Sequence, residues 1–518
     1  MKIFTSDNIP IINSATCETE SIESADLMER AALAVSCELI SLFVPSRRIV
    51  IIAGPGNNGG KALTVARKLI EQGYKKVEVF LFNVKNKLSH DCEHARKLLT
   101  ELEEEVDFTE VKREFTPPYL SPNDVVVDGL FGSGLKQPLA GGFIAVARYI
   151  NESGAYVISI DMPSGMFCEW NDNVTRRDMV HANMTLALQF PRLSFFFEEN
   201  EQVLGDWKLL DIDLNLHKMK ELPTDYMFVE SRSVRPLLRP RNKFTGKRNY
   251  GSALLIAGST GMMGAAVMCA RATLKSGAGL VTVHSAHRGL EILQTAVPEA
   301  MFEPDRGEHI ITDMKVHHDH QVVAVGPGIG TQDSTIDALE TLLKTTKLRL
   351  LLDADALNCI SKRPALLTML PPKTIISPHV GEFDRLFGEQ KSSEARLRKA
   401  VEVAKYYNII IVLKGHYTAT IRPTGKVYFN STGNPGMATA GAGDVLTGVI
   451  AAFLAQGYLP EQAATIGVYI HGLAGDLAVA ETGEYGLMAS DIANNLGVAI
   501  RHIMERKPIP SEEVFNIN

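Results

Sequence analysis

The sequence has few of the features that mark secreted, metal-clustered, membrane-embedded or nucleic-acid-binding proteins. Its six cysteines are scattered without CxxC spacing, which argues against a metal cluster and predicts free thiols in a reducing compartment. The net charge of −7 does not favour binding to nucleic acid or to an acidic membrane. The N-terminal residues lack an apolar segment with a small-residue cleavage site, and no apolar run approaches membrane-spanning length. We therefore expect a soluble, cytoplasmic protein.

The length and composition indicate a globular protein with more than one domain. The chain has 518 residues, of which 45% are hydrophobic and 22% are charged. These proportions are ordinary for globular proteins, and the length suggests two to four domains. Residues 217–247 hold Pro223, Pro236 and Pro240 among basic residues, with few long apolar runs. This change of character predicts a boundary near residues 222–229, with domains at 1–222 and 223–518.

The N-terminal half begins with the pattern of a doubly wound α/β sheet. Residues 22–44 have the apolar spacing of an amphipathic helix. An apolar strand at 48–53, a loop rich in glycine and asparagine at 54–60 and a helix at 61–72 follow. Strand, glycine-rich loop and helix form the phosphate-binding unit of such sheets. The loop is not GxGxxG and no acid stands out at the ribose position, which argues against a conventional dinucleotide site.

Two acids follow further predicted strands of this half. Strands are predicted at residues 76–82, 124–128, 155–161 and 180–189, and Asp128 and Asp161 end the second and third of these. Ligands bind at this edge of open parallel sheets, although a single aspartate there is often only a helix cap. Two aspartates beside Gly/Ser loops, together with Asn57 and Asn58, favour a site.

The C-terminal half repeats this organisation. Short apolar strands are predicted at residues 251–258, 321–325, 348–353, 374–376 and 409–413, and each precedes a loop bearing Gly, Asp or His. These strands predict one α/β domain with its site along a single sheet edge. Lys414–Thr418 offers an ammonium, glycine N–H groups and a hydroxyl, which suit a nucleotide phosphate. Asp353 and Asp355 resemble a metal pair, but Asp353 is equally explained as a strand-end cap.

The stretch Asn434–Gly448, NPGMATAGAGDVLTG, combines an anion site with an acid. A glycine-rich loop that runs into a helix presents free N–H groups and the positive end of the helix dipole. Asp444 is suited to exchanging a proton with a group beside the phosphate. The simpler alternative is a glycine-rich turn before a buried helix.

Three loops of the N-terminal half resemble those of the NAD(P)H-hydrate epimerase domain: GPGNNGG, VVVDGLFGSGL and SIDMPSG. The resemblance implies a Rossmann-like αβα fold that interconverts the R and S epimers of ring-hydrated nicotinamide nucleotides and uses potassium. It implies potassium ligands Asn58, Asp128 and Ser164. It implies that the substrate is lined by two loops, with Asp161 at the reacting ring: Asn57, Asn58, Gly59, Gly60, Lys61, Gly132, Ser133, Gly134, Leu135, Lys136, Gln137, Pro138 and Asp161.

Three residues depart from this family pattern. Lys61 and Ala62 stand where the loop usually has an acid and a glycine, and Arg192 follows Pro191 where a lysine is usual. Lys61 reverses a charge beside the expected cation site, and Arg192 does not lose its proton near neutral pH. We therefore predict that the N-terminal half binds the nucleotide but epimerises it slowly.

The C-terminal half resembles the ADP-dependent NAD(P)H-hydrate dehydratase domain over residues 251–501. The motifs that carry the resemblance are AGSTGMMGAA, GPGIG, DADALN, SPHVGE, LKGHYT and NPGMATAGAGDVLTG. It implies a ribokinase-like αβα fold that binds the hydrated nucleotide through Ala265, Gly328, His379 and Asp444. It also implies that the adenine nucleotide, with Mg²⁺, is held by Lys414, Gly415, His416, Tyr417, Thr418 and Gly443.

The implied dehydration uses a phosphoryl group to make a better leaving group. Asp444 deprotonates the ring hydroxyl, which attacks the terminal phosphoryl group of ADP, and the N–H groups of residues 440–443 stabilise the developing charge. Loss of the phosphate ester restores NADH or NADPH and releases AMP and phosphate. Both halves together resemble a bifunctional repair enzyme acting on NADHX and NADPHX.

Two alternatives remain at this level. The C-terminal half is also compatible with a ribokinase-like kinase acting on a vitamin alcohol, because the GAGD loop serves either reaction. The N-terminal half is also compatible with a non-catalytic nucleotide sensor or an oligomerisation domain, given Lys61 and Arg192. The fold class is compatible with a homo-oligomer.

Overall fold

The computed structural model describes residues 1–103, 106–316 and 319–505, and the chain divides into two compact units. The N-terminal unit comprises Lys2–Thr224 with Ser392–Glu394. The C-terminal unit comprises Asp225–Lys391 and the chain from Ala395 onward, with Met1. Both are mixed α/β structures, which confirms the predicted fold class.

The N-terminal unit alternates strands and helices along the chain. Its strands are β1 (Lys2–Ile3), β2 (Ile49–Ala53), β3 (Val77–Phe82), β4 (Asp107–Val111), β5 (Val125–Gly129), β6 (Tyr156–Ile160), β7 (Met184–Leu188) and β8 (Asp206–Leu210). Its helices are α1 (Asn8–Glu20), α2 (Ser24–Leu42), α3 (Asn57–Glu71), α4 (His90–Thr100), α5 (Gly142–Glu152), α6 (Glu201–Leu204) and α7 (Leu216–Glu221), with 3-10 turns at Arg176–Asp178, Leu193–Phe196 and Glu198–Asn200.

The sheet of this unit is parallel and doubly wound. Its strands lie in the order β4-β3-β2-β5-β6-β7-β8, and every neighbouring pair is parallel. Every residue of β2 and β5 is buried, so both sheet faces are covered. The winding direction reverses between β2 and β5, where a crevice forms at the carboxyl ends of the strands.

Two details at this crevice differ from the sequence predictions. Residues 57–60 were predicted as loop, but α3 begins at Asn57. The helix accommodates Gly59 because it packs against the preceding loop: a Cβ there would lie 1.7 Å from the Gly54 carbonyl oxygen. Asp128 was predicted to end its strand, but β5 continues to Gly129, and Asp128 pairs within the sheet with Ile52 and Ser159.

Neither of the two edge strands, β4 and β8, was predicted from the sequence. Each carries exposed, half-buried and buried residues in the same alternating pattern, so neither contains an apolar run. An edge strand is covered less completely than a central one, and its sequence therefore resembles a loop.

The C-terminal unit is built on a larger sheet. Its strands are β9 (Tyr226–Val229), β10 (Ser252–Ile256), β11 (Leu280–Ser285), β12 (Met301–Pro304), β13 (Val322–Val325), β14 (Arg349–Leu352), β15 (Ile375–Ile376), β16 (Ile410–Leu413), β17 (Ala419–Ile421) and β18 (Val427–Asn430). Its helices are α8 (Ser231–Val234), α9 (Met263–Lys275), α10 (Leu290–Ala296), α11 (Asp333–Thr345), α12 (Asp355–Lys362), α13 (Val380–Phe387), α14 (Ser393–Tyr407), α15 (Ala442–Ala455), α16 (Pro460–Gly486) and α17 (Ala489–Glu505). It also has 3-10 turns at Arg235–Leu237, Lys247–Tyr250, His287–Gly289, Pro364–Met369 and Pro435–Met437.

The order of strands in this unit again contains a switch point, which lies between β10 and β13. The strands run β9-β18-β17-β16-β15-β14-β13-β10-β11-β12, and β10 lies between the parallel strands β11 and β13. The five predicted strands are β10, β13, β14, β15 and β16, which are parallel neighbours. The antiparallel pairs β16–β17 and β17–β18 extend the sheet beyond the prediction.

Helix α16 corrects the expectation that no segment approaches membrane-spanning length. It has 27 residues and is long and apolar enough to cross a membrane, but 67% of its apolar window is buried in the structure. Its buried side chains join the same hydrophobic cluster as those of α9, α15 and α17, together with one face of the sheet. The apolar character of α16 is therefore that of a core helix.

Candidate active sites

A cavity of about 850 Å³ opens at the switch point of the N-terminal unit. Most of the substrate-lining residues implied by the sequence line it: Asn57, Asn58, Lys61, Gly132, Ser133, Gly134, Leu135, Lys136, Gln137 and Asp161. Gly59, Gly60 and Pro138 are not among its lining residues. Gly60 packs against Met28, whose sulfur would lie 2.6 Å from an added Cβ, and Pro138 is exposed. Side chains of α1 and α2, including Asn13, Cys17 and Leu27, form another wall that the sequence motifs did not indicate.

Asp161 lies in this cavity in a strained and highly polar setting. Its φ of 68° is in the left-handed region, directly after β6. One carboxylate oxygen pairs with Arg192 Nη2 at 2.5 Å, and the other accepts a hydrogen bond from the Ser133 N–H at 3.2 Å. Burial by itself would raise the pKa of Asp161, but the charges of Arg192 and Lys61 outweigh it and lower that pKa to about 2.

Lys61 faces the same cavity from α3. Burial lowers the pKa of its ammonium, the charge of Asp161 opposes that shift, and the charge of Arg192 adds to it. Arg192 is buried, donates to the Phe190 carbonyl oxygen and stacks on the Phe190 ring at 4.6 Å. The two charged departures from the family pattern, Lys61 and Arg192, are thus electrostatic neighbours of Asp161.

The three implied potassium ligands lie around the Phe131 carbonyl. Asp128 accepts hydrogen bonds from Ser164 Oγ at 2.6 Å and from the Ser164 N–H at 2.8 Å. The Phe131 carbonyl oxygen accepts from both Asn58 Nδ2 and Ser164 Oγ, each at 3.1 Å. Asn58 Oδ1 is buried and has no hydrogen-bond partner among the residues that the structure describes. A buried amide oxygen beside a carboxylate and a hydroxyl is a donor set of the hard type that alkali cations accept.

In the C-terminal unit, the stretch Asn434–Gly448 forms a 3-10 turn, a loop and the start of α15. Gly441 precedes the helix with a φ of 89°, a conformation that favours glycine. Asp444 is the third residue of α15 and lies in its first turn. The first N–H groups of a helix have no partner within it, so this turn offers free donors next to the acid.

The carboxylate of Asp444 belongs to a group of charges. Lys414 Nζ lies 2.9 Å from Asp353 Oδ1 and 3.7 Å from Glu382 Oε2, and a Cβ on Gly443 would lie 3.5 Å from the same nitrogen. Burial and the charge of Asp353 together raise the pKa of Asp444 to about 7, although the charge of Lys414 opposes the shift. This pKa is matched to proton exchange near neutral pH.

Asp353 and Asp355 have different hydrogen-bond partners. Asp353 bonds Lys414 and accepts from Thr447 Oγ1 at 2.7 Å. Asp355 accepts from the Gly330 N–H at 2.9 Å and from Asn358 Nδ2 at 3.1 Å. Asp353 thus anchors Lys414 and α15, whereas Asp355 fixes the turn after β13.

The remaining implied contacts are distributed along the same sheet edge. His379 caps α13: its Nδ1 accepts from the N–H groups of Gly381 and Glu382, and Glu382 accepts from the His379 N–H. Gly328 and Ala265 are neighbours, because a Cβ on Gly328 would lie 3.3 Å from that of Ala265.

Residues Lys414–Thr418 form a turn directly after β16. The Gly415 N–H donates to Thr418 Oγ1 at 3.4 Å, and that hydroxyl donates to the Gly415 carbonyl oxygen at 2.9 Å. The His416 and Tyr417 rings meet edge to face, with centroids 4.5 Å apart.

Helix α16 supports the Asn434–Gly448 stretch, a role that the sequence motifs did not indicate. His471 Nε2 bonds the Ala442 carbonyl oxygen at 3.0 Å, and burial lowers the pKa of this imidazole to about 4, so the ring is neutral. Asp476 accepts from the Gly433 N–H at 3.0 Å and from Asn434 Nδ2 at 2.9 Å. A histidine and an aspartate five residues apart in an apolar helix are the signal that could have revealed this contact.

Comparisons with known proteins find relatives of both halves of the chain. The family model described as YjeF-related protein N-terminus matches residues 24–194, and the model described as NAD(P)H-hydrate dehydratase matches residues 253–497. The bifunctional NAD(P)H-hydrate repair enzyme Nnr of Thermofilum pendens is 33% identical over 98% of this chain and 97% of its own length. The chain belongs to the bifunctional NAD(P)H-hydrate repair enzymes.

Other members of this repair-enzyme family are similarly related. The enzyme of Moorella thermoacetica is 33% identical over 93% of this chain and 94% of its own, and that of Coxiella burnetii is 32% identical over 92% and 95%. A solved ADP/ATP-dependent NAD(P)H-hydrate dehydratase from Bacillus subtilis, co-crystallised with ATP/Mg²⁺, is 30% identical, and the match covers 54% of this chain and 98% of that chain with a TM-score of 0.48. The family predicted from the loop motifs is confirmed.

Proposed function

We propose that the N-terminal unit epimerises the R and S forms of NADHX and NADPHX, and that the C-terminal unit dehydrates the S form with ADP as phosphoryl donor. The observation that carries this proposal is the position of Asp444. It stands at the start of α15, with a pKa of about 7, beside the Lys414 ammonium. A base of this strength next to an anion site is what phosphorylation of a ring hydroxyl requires.

The dehydration follows from this geometry. Asp444 takes the proton of the ring hydroxyl, whose oxygen attacks the terminal phosphoryl group of ADP and displaces AMP. The first N–H groups of α15 and the Lys414 ammonium stabilise the charge on the transferred phosphoryl group. Phosphate then leaves from the ring with its bonding electrons, a ring proton is lost, and the C=C bond of the dihydronicotinamide is restored.

The other implied contacts divide between the two substrates. Lys414, Gly415, His416, Tyr417, Thr418 and Gly443 hold the adenine nucleotide, and Ala265, Gly328 and His379 hold the hydrated nicotinamide nucleotide. The residues described by the structure include no group of three or more His, Cys, Asp or Glu side chains placed to hold a metal ion. We therefore assign Mg²⁺ to the phosphate oxygens of the nucleotide, where it neutralises charge.

The side-chain oxygen of Asn58 makes the N-terminal unit suitable for binding potassium. Its Oδ1 is buried without a partner in the described part of the chain, beside Asp128 and Ser164. These three side chains would hold the ion, which supplies positive charge behind the substrate. The cytoplasmic location and a homo-oligomeric state stay predictions.

The vitamin-kinase alternative is not favoured. The relatives named above match nearly the whole chain and carry both halves, whereas a kinase reading accounts for the C-terminal half alone. A non-catalytic role for the N-terminal unit is also not favoured, because its cavity brings the charged side chains of Lys61, Asp161 and Arg192 together at the sheet edge.

One experiment tests both activities. The full chain is incubated with a mixture of R and S hydrates, ADP, Mg²⁺ and K⁺, and the return of dihydronicotinamide absorbance is followed with the release of AMP and phosphate. We expect complete conversion with one phosphate per ring restored. A plateau at the S fraction would contradict the epimerase, and a stable phosphate ester would contradict the dehydratase.

A further inference from the structure

The carboxylate of Asp161 is fully engaged within the protein. Arg192 binds one oxygen and the Ser133 N–H binds the other. Asp161 and Arg192 are both buried, so water does not compete for this pair. A carboxylate held in this way stays ionised at neutral pH, and it can orient a substrate but does not readily take or give a proton. The cavity therefore needs another group if a proton is to move in it.

Lys61 differs from the other charged groups that line the cavity. Its ammonium has no hydrogen bond or ion pair with the residues that the structure describes, although it lies within electrostatic range of Asp161 and Arg192. An ammonium that is partly withdrawn from water and lacks a partner presents its protons to whatever enters the cavity.

The other titratable groups of the cavity wall are already committed. Asp91 accepts hydrogen bonds from Ser24 Oγ at 2.7 Å and from Asn57 Nδ2 at 3.2 Å. Lys136 pairs with Asp7 at 2.7 Å. Burial and neighbouring carboxylates raise the pKa of Cys17, which keeps its thiol protonated. Lys61 is thus the cavity group that is free to donate and to recover a proton.

We propose that Lys61 is the catalytic acid–base of the epimerisation and that the Asp161–Arg192 pair is its fixed electrostatic neighbour. This inference rests on the proposed function of the N-terminal unit. It assigns a role in catalysis to the substitution that, from the sequence alone, predicts a slow epimerase.

The chemistry requires two proton transfers. The ring nitrogen lone pair forms a C=N⁺ bond as the C–O bond to the hydroxyl breaks, and the Lys61 ammonium protonates the departing oxygen to give water. Water then adds to the opposite face of the same carbon, the C=N⁺ electrons return to nitrogen, and the neutral Lys61 amine takes a proton from the adding water. No other reactant is consumed. The negative charge of Asp161 stabilises the cationic ring between the two steps.

Substitution of Lys61 in the full chain tests this role. The pure R hydrate is supplied with K⁺, and the formation of S hydrate is measured across a range of pH for Lys61→Met, Lys61→Arg and the matched control Lys68→Met. Lys68 lies on the same helix and pairs with Glu29 at 2.9 Å. We expect Lys61→Met to lower the epimerisation kcat by roughly 10²–10⁴-fold, with a smaller change in KM, and Lys68→Met to keep the wild-type rate.

Two further readouts separate proton transfer from a structural role. Lys61→Arg keeps the charge, but a guanidinium does not give up its proton in this pH range, so we expect a low rate that lacks the wild-type fall at alkaline pH. Added methylamine should restore part of the activity of Lys61→Met and leave Lys61→Arg unchanged.

The outcomes distinguish this inference from the proposed function. A wild-type kcat in Lys61→Met or Lys61→Arg would overturn the inference while leaving the epimerase in place. No epimerisation by the wild-type chain would overturn the epimerase itself, and the inference with it. Dehydration of S hydrate serves as an internal check, because it should be the same in all the variants.

Discussion

Lys414 and Asp353 form an ion pair of 2.9 Å beside Asp444, and the pKa of Asp444 stays raised in its presence. The Asp353 charge raises the pKa of Asp444 while the Lys414 charge lowers it, and burial adds to the increase. Thr447 holds Asp353 from within α15, so the base and its neighbours are fixed by one helix. This arrangement gives Asp444 a proton affinity suited to neutral pH.

Replacing Asp444 with Asn should stop dehydration without preventing nucleotide binding. The amide cannot accept the ring proton, so we expect kcat to fall by roughly 10²–10⁴-fold. ADP affinity, measured by calorimetry, should change little, because Lys414 and the N–H groups remain. Asp337→Asn, at an exposed pair with Arg363, is a suitable control. Appreciable turnover by Asp444→Asn would contradict the role of this carboxylate as base.

The dehydration rate should rise with pH through about 7, the pKa of Asp444. The base must be ionised, so activity is lost below this pH and reaches a plateau above it. Removing a neighbouring negative charge with Asp353→Asn should move the midpoint to lower pH. The measurement is kcat/KM for S hydrate against pH in both chains. A wild-type midpoint near 4 would contradict the raised pKa of Asp444.

Arg192→Met should destabilise the N-terminal unit. It leaves Asp161 buried without its partner, which typically costs about 3–5 kcal/mol of the free energy of unfolding. Both tryptophans, Trp170 and Trp207, lie in this unit, so denaturant unfolding of the full chain followed by tryptophan fluorescence reports on it. Arg192→Lys should cost less because it keeps the charge. Equal stability of Arg192→Met and wild type would show that the pair adds nothing.

The same ion pair should make this unit sensitive to acid. The pKa of Asp161 is about 2 in the fold against 3.8 in the unfolded chain. The difference contributes roughly 2 kcal/mol of stability. Because the folded pKa is the lower one, this stability is present above about pH 4 and is lost as the pH falls toward 2. The tryptophan-monitored unfolding free energy should decline over this window in wild type and less steeply in Arg192→Met.

Two glycines of the catalytic loop should respond differently to alanine. Gly441 has a left-handed φ of 89°, so Gly441→Ala should cost about 1 kcal/mol and shift the start of α15. A Cβ on Gly443 would lie 3.5 Å from Lys414 Nζ, an ordinary contact, so that variant should fold normally. Its methyl group would occupy space beside the nucleotide, so ADP should bind more weakly. Thermal unfolding and ADP titration of both variants would separate these effects.

Strong local signals allowed the fold class and the positions of the central strands to be predicted. Buried parallel strands are apolar along their whole length, and β2, β5, β10 and β13 were recognised for this reason. Edge strands β4 and β8 are half exposed and were not. The start of α3 was missed because glycines usually indicate a loop, whereas Gly59 is required here by close packing against Gly54.

The electrostatics of the sites were less accessible from the sequence. Motifs identified Asp161, Lys61 and Arg192, but not that Arg192 engages Asp161 while Lys61 has no hydrogen-bond partner within the described part of the chain. Glu382 and His471 lie outside the residues singled out, yet both contact the dehydratase site. Such pairings join residues that are distant in the sequence, such as Ala442 and His471, which are 29 positions apart, and only the folded chain brings them together.

The contacts from α16 also set an order of assembly. Asn434–Gly448 carries the recognisable catalytic motif, but α16, which follows it in the chain, holds it in place: His471 bonds the Ala442 carbonyl oxygen and Asp476 accepts from Asn434. During translation the loop would leave the ribosome complete in sequence and without these supports. The dehydratase therefore becomes competent only after α16 has been made and docked, and a chain that ends before Pro460 would contain every signature of the active site without the structure that makes it work.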